Sequence, residues 1–211
     1  INGGLDMVNS LKEHERKFFT VRNMSSIGML SALAAVVMIF EIPLWFAPEF
    51  YKIDLSEVIV LIGAFALGPI EGVIIEFLKV VINTIFTQTT TGYVGETANF
   101  IVGCFFILPA SLIYHRKKTM KSAIVGLVIG TLSLALAGSL MNYYVLLPLY
   151  SKIYGMPMEA FIGAGTEKNK HIMDLKSFIM LAVVPFNLLK GVLSSLITFA
   201  VYKKISRVIH K

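Results

Sequence analysis

The feature that most constrains this chain is a continuous apolar run over residues 178–201 that carries a lysine near its centre. The run is longer than the roughly 20 apolar residues that a helix needs to cross the hydrocarbon core of a bilayer. A lysine in the middle of such a span costs about 2.5–3.5 kcal/mol on insertion scales. We therefore expect Lys190, three residues after Asn187, to meet a polar partner inside the membrane.

The composition agrees with a membrane protein. The chain has 211 residues, of which 56% are hydrophobic and only 15% are charged, whereas a water-soluble domain carries about 25% charged residues. The apolar runs are long and continuous, which indicates helices, because a transmembrane barrel has short segments of alternating polarity. The single cysteine, Cys104, leaves no intrachain disulfide to form. We predict an all-α integral membrane protein with one folding unit.

The chain is predicted to contain two regions and six transmembrane helices. Residues 1–22 are interpreted as a tag remnant followed by a basic cytoplasmic segment, and residues 23–211 as a six-helix membrane domain. A proline, Pro43, is expected to end the first span, and residues 148–176 are expected to form an outer loop. The predicted spans cover about 24–42, 55–67, 72–86, 97–114, 123–147 and 178–202.

The basic residues predict the orientation of these spans. Four precede the first span, four lie between the fourth and fifth, and four follow the sixth, and in a six-span chain these groups share one side. Loops rich in lysine and arginine stay in the cytoplasm, so both termini are predicted to be cytoplasmic. The net charge of +6 is thereby explained as a topology signal, and nucleic acid binding is not expected.

The sequence lacks the motifs of several enzyme classes. Residues 163–168 are glycine-rich but do not have the spacing of a nucleotide-binding loop, and they are interpreted as a flexible part of the outer loop. No Gly-x-Ser-x-Gly or His-Glu-x-x-His motif occurs. The four histidines are scattered without metal-ligand spacing. No catalytic residue, metal or resident cofactor is expected.

Polar residues inside the predicted spans are the candidates for function. Asn187 and Lys190 share one helical face, and since no acid lies on their own helix they favour ligand binding. Glu76 and Lys79 repeat the same spacing, and an ion pair is the preferred interpretation, with ligand contact as the alternative. Asn142 either joins two helices by a hydrogen bond or contacts a ligand.

Three further features each leave two interpretations open. Glu96, which precedes Asn99 by three residues, either stabilises the start of the fourth helix or contacts a ligand. The aromatic residues of the loop after the first span form either an interfacial belt or a lid over a flat ligand; they are Trp45, Phe46, Phe50 and Tyr51. Small residues spaced four apart on the first span allow close packing of a helix of this chain or of a partner subunit; they are Gly28 with Ala32 and Ser31 with Ala35.

Taken together, several stretches resemble the substrate-binding S components of energy-coupling factor (ECF) vitamin transporters, in particular the riboflavin-binding RibU type. The stretches are residues 50–57, 66–72, 76–79, 91–100, 141–144 and 185–191. The Ala-Leu-Gly-Pro turn at 66–69 is shared broadly among S components. The Gly-Glu-Thr-Ala-Asn stretch at 95–99 and the Pro-Phe-Asn-Leu-Leu-Lys stretch at 185–190 point to riboflavin.

The resemblance implies a six-helix fold that binds one vitamin near the outer face of a bacterial cell membrane. Asn142, Asn187 and Lys190 would contact the isoalloxazine head of riboflavin, Leu44 and Trp45 would pack against its rings, and Glu96 and Asn99 would reach ribityl hydroxyls. The resemblance also implies docking of the first helix to a transmembrane coupling subunit. Here Gly28/Ala32 and Ser31/Ala35 replace the Ala-x-x-x-Ala motif of the family.

The function that follows is high-affinity riboflavin binding and delivery to an ATP-driven ECF module, whose separate subunits hydrolyse ATP. One alternative keeps the fold and changes the ligand to another vitamin. A second is a stand-alone ion-coupled carrier or a small channel, and a third is a membrane enzyme.

Overall fold

The computed structural model of the protein describes residues 20–87 and 92–209. The predicted tag remnant and basic segment lie outside the described residues, apart from residues 20–22. The described part consists of helices, one two-stranded hairpin and the loops that connect them. Its helices are α1 (Val21–Met38), α2 (Ser56–Ala66), α3 (Pro69–Thr87), α4 (Val94–Lys117), α5 (Met120–Met141), α6 (Leu147–Tyr154), α7 (Met158–Lys168), α8 (Leu175–Phe178) and α9 (Val184–Ile209). π-Helical turns at Asn142–Leu146 and Ile179–Val183 join α5 to α6 and α8 to α9.

Four helical stretches of the described residues are long and apolar enough to cross a membrane. They are Val21–Met38, Val94–Lys117, Met120–Tyr154 and Leu175–Tyr202, and they contain most or all of the first, fourth, fifth and sixth predicted spans. The second and third predicted spans coincide with α2 and α3. Of these, α2 has only 11 residues, and α3 carries three charged residues.

The two helices that fall short of this criterion occupy the centre of the protein. Val60 and Leu61 of α2 and Ile75 of α3 are fully buried, and they pack with Phe106 and Ile107 of α4 in one hydrophobic cluster. Around them, α1 packs against α2 and α3, while α9 packs against α2 and α5. The charged residues of α3 therefore lie among helices of the protein.

Helices α4 and α5 pack against each other closely enough to define their relative level. Gly126 of α5 lies against the backbone of Ala110, and Gly130 lies against the backbone of Phe106, so that a β-carbon at either glycine would stand within 2.7 Å of a carbonyl oxygen. Glycines permit such close approach between helices in a membrane. Since the two helices run antiparallel, continuing this pairing by two turns places Ala98 at the level of Gly138.

Two predicted boundaries are wrong. α1 ends at Met38, before the predicted end of the first span, and Pro43 belongs to a hairpin in which β1 (Ile42–Pro43) pairs antiparallel with β2 (Lys52–Ile53). Between α1 and the hairpin, the backbone N–H of Phe40 donates to the carbonyl oxygen of Val37 and that of Glu41 to the carbonyl oxygen of Ile39. Likewise, Pro148 does not end the fifth span, because the π-helical turn at Asn142–Leu146 leads directly into α6, of which Pro148 is the second residue.

The predicted outer loop over 148–176 is largely helical, and the expectation of a flexible segment at 163–168 is wrong. Those residues form the second half of α7. The helix is held by packing: Gly165 lies where a β-carbon would come within 2.8 Å of the Phe178 ring, and Phe161 belongs to the same buried cluster. This contact to the start of the last span could not be seen from local composition.

Candidate ligand-binding site

Two asparagines predicted as ligand contacts meet at one glycine. Asn187 of α9 packs against Gly138 of α5, where a β-carbon would stand 2.7–2.8 Å from the amide atoms of Asn187. Asn142, one turn further along, donates from Nδ2 to the carbonyl oxygen of Gly138 at 2.8 Å. Both asparagine side chains are buried, with 7% of Asn142 and 5% of Asn187 exposed. The structure therefore brings these two residues together.

The hydrogen bonds fix how each amide is turned. Asn187 donates from Nδ2 to the carbonyl oxygen of Val183 at 2.9 Å, and Asn142 does the same to Gly138. A backbone carbonyl can only accept, so each amide must present its NH2 group to it, and each NH2 group keeps a second hydrogen. No hydrogen bond to Oδ1 of Asn187 is formed by the residues that the structure describes.

Lys190 lies one turn beyond Asn187 and is paired with carboxylates from elsewhere in the chain. Its Nζ is 3.2 Å from Oδ2 of Asp54 and 3.7 Å from Oε1 of Glu57. Asp54 follows strand β2, and Glu57 lies in the first turn of α2. The lysine thus has the polar partner that its position demanded, although that partner is part of the protein.

A second lysine continues this arrangement toward α3. Nζ of Lys79 is 2.7 Å from Oε2 of Glu76 and 3.0 Å from Oε1 of Glu57. The side chains of all three residues are at most 1% exposed. The predicted ion pair between Glu76 and Lys79 is present, and Glu57 links it to Lys190. We call Glu57, Glu76 and Lys79 the inner charged cluster.

Glu96 and Asn99 lie in the first turns of α4. Glu96 lines a cavity of about 480 Å³ between α3 and α4, together with Phe77, Thr84 and Phe100. Oδ1 of Asn99 is buried and has no hydrogen-bond partner among the described residues. Because Ala98 is level with Gly138, this unsatisfied acceptor lies at the same height in the bundle as Asn142 and Asn187.

The loop that connects α1 to α2 places its aromatic residues in two environments. Trp45 is 82% exposed and contacts Phe46 edge to face at 5.4 Å, while Leu44 is half-buried. Tyr51 instead points into the bundle, with its ring centre 5.0 Å from that of Phe186. Its hydroxyl donates to Oδ1 of Asn142 at 2.6 Å.

The four small residues of α1 divide between two faces. Ser31 and Ala35 are buried, at 0% and 2% exposed, and the Ser31 hydroxyl donates to the carbonyl oxygen of Ile27. Gly28 and Ala32 are exposed, and a β-carbon at Gly28 would meet nothing within 4 Å. One pair therefore packs inside the protein, and the other remains open to a partner.

Sequence reasoning missed Asp54 and Glu57 as partners of Lys190 and the contact of Tyr51 with Asn142. The available signal was the stretch 50–57, which places a tyrosine and two acids beside an apolar span. Nothing local connects that stretch to Lys190, because 136 residues separate Asp54 from it.

Comparison with known proteins agrees with this fold. Residues 22–202 match the family described as "ECF transporter, substrate-specific component", and the chain belongs to that family. It is 34% identical to the riboflavin transporter RibU of Staphylococcus aureus over 88% of this chain and 90% of the relative. It is 29% identical to the riboflavin transporter FmnP of Bacillus subtilis, over 88% of this chain and 92% of that protein.

A solved structure extends the likeness to three dimensions. It is described as "Structure and mechanism of the S component of a bacterial ECF transporter", and it superposes with a TM-score of 0.70 at 30% sequence identity. The match covers 90% of this chain and 98% of the other. The helical bundle described above is therefore the S-component fold.

Proposed function

We propose that this protein binds riboflavin in the outer half of a bacterial cell membrane and delivers it to an ATP-driven ECF module. The observation that carries the proposal is the meeting of Asn142 and Asn187 at Gly138, with hydrogen-bonding capacity left over, one turn from the buried Lys190. The identity of the ligand is inferred from relatives that are named riboflavin transporters. The proposal includes six membrane-crossing helices with both termini in the cytoplasm.

The remaining hydrogen-bonding groups suit the polar edge of a flavin. That edge alternates acceptors with one imide N–H donor. Asn187 offers a free Oδ1 as acceptor and one N–H, Asn142 offers one N–H, and Lys190 carries only donors. The acceptor of Asn187 would receive the imide N–H, and the donors of Asn187, Asn142 and Lys190 would meet the acceptors on either side of it.

The rest of the vitamin would extend toward α4 and the loop. The unsatisfied Oδ1 of Asn99 would accept a hydrogen bond from a ribityl hydroxyl, and Glu96 lies one turn away on the same helix. Leu44 and Trp45 are proposed to pack on the rings, which for the exposed Trp45 requires the loop to change position when ligand binds.

Binding is tested with the detergent-purified protein. We expect it to be yellow or to become so with added riboflavin, and to quench flavin fluorescence at a stoichiometry of one. A colourless protein that binds a different vitamin would mean that the ligand is not riboflavin, although the fold is unchanged. Ion-gradient-driven uptake into liposomes by this chain alone would mean that the protein transports without an ECF module.

Delivery is proposed to use the exposed small-residue pair on α1. A leucine at Ala32 would fill the shallow strip beside Gly28 and keep another helix away, so we expect Ala32→Leu to reduce uptake in cells that contain the module while riboflavin binding by the isolated protein is unchanged. The matched control is Val128→Leu on α5, also exposed. Equal uptake by the two variants would place docking on another surface.

A further inference from the structure

Two of the proposed ligand residues are each held by a residue of the same short loop segment. Tyr51 contacts Asn142 and Asp54 contacts Lys190, and these two loop residues flank strand β2 (Lys52–Ile53). We propose that Tyr51 and Asp54 are positioning residues of the binding site, which fix the donor pattern that Asn142 and Lys190 present to the ligand. This inference rests on the proposed function.

Tyr51 determines which atoms Asn142 has left for a ligand. Nδ2 of Asn142 must face the carbonyl oxygen of Gly138, which can only accept. Oδ1 therefore faces Tyr51, and the tyrosine hydroxyl is the donor of the 2.6 Å hydrogen bond. Tyr51 thus occupies one of the two lone pairs of Oδ1, and the N–H that Asn142 keeps is the donor that it presents to the ligand.

The tyrosine is itself held in place by aromatic packing. Its ring centre is 5.0 Å from that of Phe186 and 6.2 Å from that of Phe178, two residues of the segment that also carries Asn187. Both separations lie within the 4.5–7 Å range of favourable aromatic pairs. The hydroxyl is thus aimed at Asn142 by the wall of the site.

Asp54 plays the corresponding part for Lys190. Its Oδ1 accepts hydrogen bonds from the backbone N–H of Ser56, at 2.9 Å, and from the Ser56 hydroxyl. The other oxygen, Oδ2, faces Nζ of Lys190 at 3.2 Å. Asp54 is only 5% exposed, and its carboxylate is fixed just before α2. The ammonium is therefore held at a defined point with further N–H groups to donate.

The hairpin fixes the positions of Tyr51 and Asp54 relative to each other. Ile42 is paired with Ile53 and Pro43 with Lys52, which fixes the course of the chain between Tyr51 and Asp54. Neither residue needs to touch the ligand. Each acts through the residue that it holds, so their effects must disappear when that residue is removed.

A double-mutant cycle measures this dependence. Riboflavin affinity is determined by fluorescence quenching for the wild type, Tyr51→Phe, Asn142→Ala and the double variant. Loss of a hydrogen bond that positions a buried group predicts about a tenfold weaker binding for Tyr51→Phe, and the double variant is expected to bind no more weakly than Asn142→Ala alone. The control is Tyr144→Phe, on the same π-helical turn but 69% exposed, for which no change is expected.

The same cycle with Asp54→Asn and Lys190→Met tests the second contact. If Asp54→Asn does not fold, Ser56→Ala takes its place, because it removes only the hydroxyl that orients Asp54. We expect Ser56→Ala to lower riboflavin affinity by a smaller factor than Asp54→Asn. Additive losses in both cycles, or unchanged affinity in Tyr51→Phe, would overturn the positioning role while leaving riboflavin binding in place. A wild-type protein that binds no riboflavin would instead overturn the proposed function and this inference with it.

Discussion

The inner charged cluster and the two asparagines Asn142 and Asn187, here called the asparagine pair, are two buried polar regions of the same bundle. They use their polar atoms differently. In the cluster, Lys79 lies within 3.0 Å of both Glu57 and Glu76, so charges are compensated by charges. In the pair, each asparagine gives one N–H to a backbone carbonyl and keeps other capacity. Neither burial nor unused hydrogen-bonding capacity separates the two regions, because Oε2 of Glu57 and Oε1 of Glu76 also lack a hydrogen-bond partner among the described residues. What separates them is that the cluster is held by charge pairing, whereas the asparagines are held by hydrogen bonds to the backbone.

This difference predicts what each region does when it is altered. Removing one partner of a buried ion pair leaves an uncompensated charge, which is strongly destabilising. Removing a buried amide that is only partly engaged costs about 0.5–1.5 kcal/mol for each hydrogen bond lost. Changes in the charged cluster should therefore damage folding, and changes in the asparagine pair should damage binding.

The largest expected effect is that of Lys79→Met. Methionine has a similar length but leaves Glu57 and Glu76 without their shared cation, and breaking a buried pair in this way costs about 3–5 kcal/mol. We expect a large fall in the unfolding temperature of the detergent-purified protein, or loss of folded protein. An unfolding temperature equal to that of the wild type would mean that the cluster does not stabilise the bundle.

The second prediction concerns the glycine at which the asparagines meet. In Gly138→Ala the new methyl group would stand 2.7–2.8 Å from the Asn187 amide, and overpacking of this kind costs typically about 1–3 kcal/mol. We expect the amide to be displaced and riboflavin affinity to fall, with a smaller loss of stability than in Lys79→Met.

Gly163→Ala is the matched control for that variant. Gly163 lies inside helix α7, and a β-carbon there would meet nothing within 4 Å. Alanine is favoured over glycine in a helix interior by about 1 kcal/mol, so we expect unchanged binding and equal or higher stability. If both glycine variants bind riboflavin equally well, the site does not include Gly138.

Most of the helical architecture could be predicted from the sequence because the apolar runs are long and strongly patterned. Four of the six predicted spans correspond to helices of membrane-crossing length and composition, and the other two coincide with α2 and α3. The helices at Leu147–Tyr154 and Met158–Lys168 were missed because prolines and glycines there are tolerated by a π-helical turn and by tertiary packing, neither of which leaves a local signal.

The candidate site was predictable in its members but not in its connections. Asn142, Asn187 and Lys190 were identifiable as polar residues where lipid or apolar side chains were expected. Their partners were not, because Tyr51 is 91 residues from Asn142 and Asp54 is 136 residues from Lys190. The sequence also grouped Trp45 with Tyr51 as aromatic residues of one loop, whereas Trp45 is exposed and Tyr51 points into the bundle.

The third prediction tests the pair directly. Asn187→Ala removes one hydrogen bond to Val183 and the free Oδ1, so we expect riboflavin binding to weaken by roughly tenfold or more while the unfolding temperature changes little. Asn169→Ala, at the end of helix α7, is the control of the same chemical type. A large fall in stability with unaltered affinity would show that Asn187 belongs with the structural polar groups.

The smallest effect is expected from the exposed counterpart of the inner cluster. Lys52 and Glu41 form an ion pair at 3.0 Å, with their side chains 46% and 45% exposed, and such pairs contribute about 0–1 kcal/mol because water screens them. Lys52→Met is therefore expected to leave the unfolding temperature nearly unchanged, and any difference from the wild type should disappear at high salt. The variant sharpens the contrast with Lys79, since the same substitution is made at an exposed lysine with one carboxylate partner and at a buried lysine with two. A loss as large as that of Lys79→Met would mean that Lys52 stabilises the hairpin carrying Tyr51 and Asp54, and riboflavin affinity would then fall in the same variant.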